Sequence, residues 1–247
     1  IGTSGAIRTV TDRPLTDKNE RTFCYALTED LWVIGGPVNN GGVVMDWAMH
    51  RFVETEDSER IVESKESRFE QMMHQVDSAP LGADQLFFHP YLVGERSPVW
   101  RSDAKGSFFG LDIHHQNEHM LRAVLEGINL NLYAVYIAIA EVIGADAKEI
   151  LVTGGFTKSD TWLQMIADIF GVELVITEVF ENACLGAAVL GLYALGENKD
   201  FSDLNQMIPI GKRIKPTKTH HQFYQRHFEK YQKLNEYYLK MFEVLDR

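Results

Sequence analysis

Residues 149–195 alternate between short apolar segments and longer helix-like ones. The pattern predicts, in chain order, strand 149–153, helix 160–170, strand 173–177 and helix 181–195. This order is typical of a layered α/β domain, in which helices cover the faces of a sheet. No other feature of the chain restricts its fold class as strongly.

A glycine pair follows the first of these strands. Gly154 and Gly155 precede a helix with apolar positions at Trp162 and Ile166, and Ser159 supplies N-cap chemistry for it. Glycine lets the backbone approach a flat ligand because it has no Cβ. Since α/β proteins bind ligands at the carboxyl ends of their strands, this turn is a candidate contact for a nucleotide base.

The charge balance argues against two classes of partner. The chain has 24 basic and 35 acidic residues, a net charge of −11, whereas nucleic acids and anionic membranes call for a basic face. The charge balance does not exclude a local anion-binding site, because backbone N–H groups can form one. No apolar run approaches the roughly 20 residues of a bilayer-spanning helix. Cys24 and Cys184 predict two buried thiols in a reducing, cytoplasmic compartment.

The other segments predict a chain of mixed helices and strands. The expected elements are antiparallel strands within 5–12 and 22–35, a helix after the loop 39–42, a charged solvated helix or loop over 54–68, a short helix over 67–77, a strand at 86–88, a loop over 94–110, a helix over 118–143 and a tail helix over 220–245. So long a loop is typically functional or disordered. The aromatic stripe of the tail helix predicts core packing or a dimer face.

Several shorter motifs leave alternatives open. Gly2-Thr3-Ser4-Gly5 is either a plain hairpin turn or a turn whose N–H groups and threonine hydroxyl bind phosphate. The Walker-type loop is absent from the sequence. Glu95-Arg96 is either a surface ion pair or part of an active-site rim. His114-His115 and His220-His221 lack a third ligand at zinc spacing, so no metal site is expected there.

Two spaced segments carry a family resemblance. Gly106-Ser107-Phe108-Phe109-Gly110-Leu111 is followed, after seven residues, by His119-Met120-Leu121-Arg122-Ala123-Val124-Leu125-Glu126. This pattern closely resembles the second signature of the FGGY carbohydrate kinases. Segment 90–100, the opening Gly-Thr-Ser-Gly-Ala and the Gly-Gly-Phe-x-x-Ser turn occur in that family's order, so the resemblance covers essentially the whole chain. Within the family, segments 1–8, 23–27, 34–42 and 190–194 resemble the gluconate kinases most.

The resemblance implies a fold and a domain. It implies an actin-like ATPase or ribonuclease H-like α/β domain, with a mixed β-sheet flanked by helices. Residues 1–247 would form the C-terminal nucleotide-binding domain of a two-domain kinase. Its expected parts are N-terminal strands over 1–40, an insertion-like helical part over 41–92, an ATP-binding core over 93–200 and a C-terminal helix region over 201–247.

The resemblance also implies nucleotide-contacting residues. Gly2 and Thr3 match the family's second phosphate motif, Gly42 and Asp46 its loop–helix contact, and Gly154, Gly155 and Ser159 its adenosine motif. Asp46 stands where glycerol kinases have glutamine, and Ser159 stands where they have asparagine. A serine hydroxyl can still hydrogen-bond to a base.

The implied reaction is phosphorylation of D-gluconate to 6-phosphogluconate by ATP with Mg²⁺. The family's catalytic base is an aspartate upstream of Gly-Thr-Ser-Gly. We therefore expect it to precede Ile1 in a longer protein, because the sequence opens without a start Met. Such a fragment would hold part of an ATP and would not phosphorylate by itself. Arg8 and Arg96 are candidate partners for a substrate carboxylate.

Three other functions stay open. A sister FGGY enzyme would act on xylulose, glycerol or another polyol. An actin- or Hsp70-like ATPase would hydrolyse ATP without any sugar. A nucleotide-free interaction domain would show no rise in melting temperature with MgATP.

Overall fold

The computed structural model describes residues 1–53, 65–178, 182–197, 201 and 208–245. Its strands are β1 (Gly5–Thr11), β2 (Phe23–Ala26), β3 (Trp32–Val38), β4 (Phe87–Pro90), β5 (Gly106–Phe109), β6 (Glu149–Val152), β7 (Glu173–Thr177) and β8 (Ile210–Ile214). Its helices are α1 (Gly42–Phe52), α2 (Lys65–Ser78), α3 (Asn117–Ile143), α4 (Asp160–Phe170), α5 (Asn182–Ala194) and α6 (Lys218–Leu245). Two short 3-10 helices span Ala83–Gln85 and Gly155–Lys158.

The described strands form three sheets. β1, β3 and β2 pair antiparallel in that order, with Gly5 opposite Val38 and Phe23 opposite Gly35. β4 and β5 pair antiparallel. β6 and β7 are parallel and β8 is antiparallel to β7, so the third sheet is mixed, as the α/β pattern predicts.

Helix α3 forms the centre of the core. Gln116 and His119 close a capping box at its start, and Gly144 ends it in the left-handed conformation, with φ of 78°. By length and composition α3 corrects the expectation that no segment approaches bilayer-spanning length. Its apolar window is 83% buried inside the fold, however, which is the behaviour of a core helix. α1, α2 and α4 all pack against it.

Helix α6 covers one side of this core. Its buried aromatic side chains are Tyr224, Phe228, Tyr231, Tyr238 and Phe242, while Tyr237 is exposed. The aromatic stripe therefore packs in the core, one of the two expected alternatives.

Several expectations need correction. The segment 94–110 is not one loop, because β5 closes it. β8 was not expected, since an exposed edge strand that contains Gly211, Lys212 and Arg213 lacks an apolar face. The thiols are not buried either: Cys24 is half-buried and Cys184 is exposed. Of the charged stretch 54–68, residues 54–64 lie outside the described residues and the rest begins α2.

A buried histidine makes the fold sensitive to acid. His89 is fully buried, its ring stacks on Tyr231 with centroids 4.4 Å apart, and its Nε2 lies 3.3 Å from the carbonyl oxygen of Tyr231. Burial lowers the pKa of His89 from 6.5 to about 4. The unfolded chain therefore binds this proton at a higher pH than the folded chain does, and stability is lost as pH falls through that interval.

We expect His89 to account for a loss of about 2 kcal/mol in the free energy of unfolding between about pH 7 and pH 4.5. His89→Phe keeps an aromatic ring in the stack and removes the titrating group. Urea denaturation of both proteins at the two pH values checks this. The same loss in wild type and variant would show that the proton is taken up elsewhere.

Candidate functional site

The first residues of the chain lie between the end of β6 and the start of α1. The nitrogen of Ile1 donates to the carbonyl oxygen of Thr153 at 2.9 Å. On the other side, the N–H of Gly42 donates to the Gly2 carbonyl at 2.8 Å and the N–H of Val43 to the Thr3 carbonyl at 3.1 Å. The structure thus brings three of the predicted segments together, although they are far apart in sequence.

Glycines make this approach possible. A Cβ on Gly42 would lie 2.7 Å from the Gly2 carbonyl oxygen, and one on Gly154 would collide with the carbonyl oxygen of Ile1. Gly154 also has a φ of 117°, a conformation that side chains with a Cβ rarely adopt. Around Gly155, in contrast, no atom of the described residues lies within 4 Å of a Cβ position. Gly154 therefore serves close packing, while Gly155 faces open space.

The turn at Gly2–Ser4 presents unused donors. Gly2, Thr3 and Ser4 are exposed, and the N–H of Gly2 bonds to the Ser4 carbonyl at 2.8 Å. Within the described part of the chain, the N–H groups and the hydroxyls of Thr3 and Ser4 have no hydrogen-bond partner. Two successive free N–H groups with adjacent hydroxyls suit phosphate oxygens.

The other two predicted site residues, Asp46 and Ser159, take no part in these backbone contacts. Asp46 is four residues into α1 from Gly42 and has a half-exposed carboxylate, 3.8 Å from the ring of His50. Ser159 is buried and caps α4, where its Oγ accepts the N–H of Trp162 at 3.2 Å. The structure gives Ser159 a structural role, and its contact with a base stays a prediction.

The sequence did not predict that the side chain of Glu95 is buried. It is only 2% exposed, and it forms no ion pair with the guanidinium of Arg96. Its carboxylate instead accepts N–H bonds from Asn39, Asn40 and Asn131. Asn39 donates its backbone N–H and Asn131 lies on α3, so the local sequence around Glu95 carried no signal for this burial.

The family signature marks the core and not the site. Its first segment contains β5, and its second forms the first turns of α3, where Arg122 and Glu126 make a buried ion pair at 2.9 Å. The Tyr224 hydroxyl on α6 donates to Glu126 at 2.8 Å. These residues connect α6 to α3.

The two histidine pairs lie in different surroundings. His220 and His221 both bond to Asp168, at 2.8 Å and 3.0 Å. His115 lines an open cleft of about 410 Å³ with Asp84 and Leu234. Among the described residues there is no group of three or more His, Cys, Asp or Glu that could hold a metal ion.

Comparison with known proteins supports the resemblance. The model of the C-terminal domain of the FGGY family of carbohydrate kinases matches residues 1–195. The chain is 49% identical, over 218 residues, to the gluconokinase of Bacillus licheniformis, with 87% of this chain and 42% of that protein covered. The chain spans about half the length of the curated relatives it matches.

Solved structures of sugar kinases are also similar to this chain. A gluconate kinase from Lactobacillus acidophilus superposes with a TM-score of 0.85 at 36% identity, over 96% of this chain and 46% of that one. A ligand-bound xylulose kinase from the same organism gives a TM-score of 0.88 at 36% identity, over 99% and 48%. The expected actin-like, ribonuclease H-like α/β fold is confirmed. The chain belongs to the FGGY family of carbohydrate kinases, and its residues 1–195 match the C-terminal domain of that family.

Proposed function

We propose that this chain is the ATP-binding half of a gluconate kinase, an enzyme that transfers the γ-phosphoryl group of ATP to a primary hydroxyl of D-gluconate. The observation that carries the proposal is the meeting of Gly2–Thr3, Gly42 and Gly154 at one exposed surface. Gluconate is favoured over xylulose because the gluconokinase relative is 49% identical, whereas a xylulose kinase of Staphylococcus epidermidis is 32% identical.

In this proposal each predicted residue has a role. The free N–H groups and hydroxyls at Thr3 and Ser4 bind the outer phosphates, and the open side of Gly155 receives the adenosine. Gly42 positions the phosphate turn, since its N–H is already bonded to Gly2. Asp46, a half-exposed carboxylate one turn along α1, is assigned a contact with the nucleotide, as the family resemblance implies.

The rest of the reaction requires groups outside this chain. We propose that an aspartate in an upstream domain removes the proton from the attacking hydroxyl, as the family resemblance implies. Mg²⁺ would enter with ATP, coordinated by phosphate oxygens and water, and would neutralise phosphate charge. The N–H groups at Thr3 and Ser4 then orient the γ-phosphate for in-line attack. A cytoplasmic location, where ATP is present, belongs to the same proposal.

The substrate carboxylate needs a cation. Arg96 already bonds to Asn39 through Nε at 2.6 Å. Arg8 is exposed on β1, and its guanidinium has no hydrogen-bond partner among the residues that the structure describes. Arg8 is therefore our candidate for recognition of the sugar acid.

A substrate panel tests the proposed function. ADP release is measured with gluconate, xylulose and glycerol, on the enzyme that joins this chain to its upstream domain. We expect the kcat/KM for gluconate to exceed the others by at least about a hundredfold, because a site built for a carboxylate is left unpaired by a neutral polyol. A preference for xylulose or glycerol would indicate a sister kinase. ATP turnover without any sugar would indicate an actin- or Hsp70-like ATPase.

A further inference from the structure

A buried carboxylate lies behind the proposed phosphate turn. Oε1 of Glu95 accepts the backbone N–H groups of Asn39 at 2.5 Å and of Arg96 at 2.8 Å. Its Oε2 accepts the side-chain amides of Asn131 at 2.9 Å and Asn40 at 3.1 Å. All four neighbours donate, so the cluster is built around an ionised acceptor. Burial raises the pKa of Glu95, and the four donors oppose that shift.

Asn40 joins the two loops that meet at Glu95. It is fully buried, its Nδ2 donates to the Gly94 carbonyl at 2.7 Å, and its Oδ1 accepts the N–H of Val93 at 3.3 Å. Its amide orientation is therefore fixed from both sides. Asn131 connects the same carboxylate to α3, the central helix of the core.

The loop held in this way supports the phosphate turn directly. Gly42 and Val43 donate to the carbonyl oxygens of Gly2 and Thr3. A Cβ on Gly41 would lie 2.9 Å from the carbonyl carbon of Ser4, so the loop and the turn are in backbone contact. Hydrogen bonds and contacts thus run without a gap from α3 through Glu95 to the turn.

We propose that Glu95 is a positioning residue, which holds loop 39–42 and thereby fixes the Gly2–Ser4 turn in the geometry that receives the phosphates of MgATP. The proposal rests on the proposed function, since it presumes that the turn binds a nucleotide. Glu95 itself touches neither the turn nor the ligand. Glu95 lowers the free energy needed to order the N–H donors of the turn before the nucleotide binds.

The chain offers a matched control. Glu126 is 1% exposed, compared with 2% for Glu95, and is also a carboxylate that accepts several hydrogen bonds. Its donors are Arg122, Tyr224 and the N–H of Gly82, none of which is hydrogen-bonded to loop 39–42 in the described part of the chain. Replacing each glutamate with glutamine preserves shape and turns one oxygen into a donor. At position 95 the new NH₂ group would face either the backbone N–H groups of Asn39 and Arg96 or the fixed Nδ2 of Asn40, so that a donor meets another donor.

The first measurement is MgATP binding by calorimetry to the wild-type chain, Glu95→Gln and Glu126→Gln. We expect Glu95→Gln to raise Kd about tenfold, the usual effect of losing about one charged hydrogen bond. We expect Glu126→Gln to lower Tm while its Kd stays within about twofold of wild type. A Kd for Glu95→Gln within twofold of wild type would overturn the inference.

The second measurement does not depend on ATP. Amide hydrogen exchange at Gly42 and Val43 reports whether their bonds to Gly2 and Thr3 are held. We expect Glu95→Gln to accelerate exchange at these amides, together with the Asn39 and Arg96 amides that bond to the carboxylate, and Glu126→Gln to accelerate it across α3 instead. Unchanged exchange at Gly42 and Val43 in Glu95→Gln would overturn the positioning role. A wild-type chain that binds no MgATP would overturn the proposed function, and the exchange data would still decide the role of Glu95.

Discussion

Arg122→Leu is expected to lower the free energy of unfolding by about 3–5 kcal/mol, because it leaves Glu126 as a buried charge without its counterion. The guanidinium of Arg122 bonds to Glu126, to the Tyr224 hydroxyl at 3.2 Å, and to the carbonyls of Val76 and Ala79 at 3.0 Å each. One substitution therefore weakens the contacts of α3 with both α2 and α6.

Arg213→Leu is the control for this prediction. Arg213 also bonds to two carboxylates, Glu149 and Glu173, at 2.8 Å each, but its side chain is 42% exposed. Exposed pairs contribute little to stability because solvent screens them, so the same substitution should have little effect here. Urea denaturation of both variants provides the comparison. Equal, small losses would show that the buried network does not stabilise the fold.

Gly155→Val is expected to weaken MgATP binding by about tenfold to a hundredfold without lowering Tm. None of the residues that the structure describes occupies the space around a Cβ at this position, so the valine is tolerated by the fold and obstructs only a ligand. Overpacking of a fitted site typically costs about 1–3 kcal/mol, which corresponds to this range of affinity.

The neighbouring glycine provides the contrast. Gly154→Val combines a strained φ with a collision against Ile1, so it should lower stability by about 1–3 kcal/mol as well as affinity. Gly191→Val, on α5, also has open space around its Cβ and should change neither quantity much. Calorimetric Kd and Tm for the three variants separate these effects. Wild-type affinity in Gly155→Val would place the base elsewhere.

The parts of the fold that the sequence predicted are those with a strong local pattern. The β6–α4–β7–α5 unit follows from its alternation of strand-like and helix-like segments, with clear apolar periodicity in α4, and α4 begins at Ser159 because a serine there can cap it. β8 has no such pattern, since four of its five residues are exposed and only pairing with β7 makes it a strand. Its existence depends on tertiary contact.

Within the candidate site, too, some residues could be predicted from the sequence and others could not. Gly154 stood out as part of a glycine pair after a strand and Gly42 through the family resemblance, and the structure shows close backbone approach at both. Glu95 did not stand out, because its burial depends on Asn39 and Asn131, which are 56 and 36 residues away in sequence. Ser159 caps α4, as the sequence predicted, and its contact with a base stays a prediction. Spacing along the chain cannot distinguish these cases.

Mapping of MgATP onto the 28.1 kDa chain by amide chemical shifts tests the central claim most directly. The titration should reach about 10 mM, tenfold above the usual upper limit of KM values. We predict that the largest shifts occur at Thr3, Ser4 and Gly155. No shift at these three residues, or the largest shifts in the cleft lined by Asp84 and His115, would contradict the account.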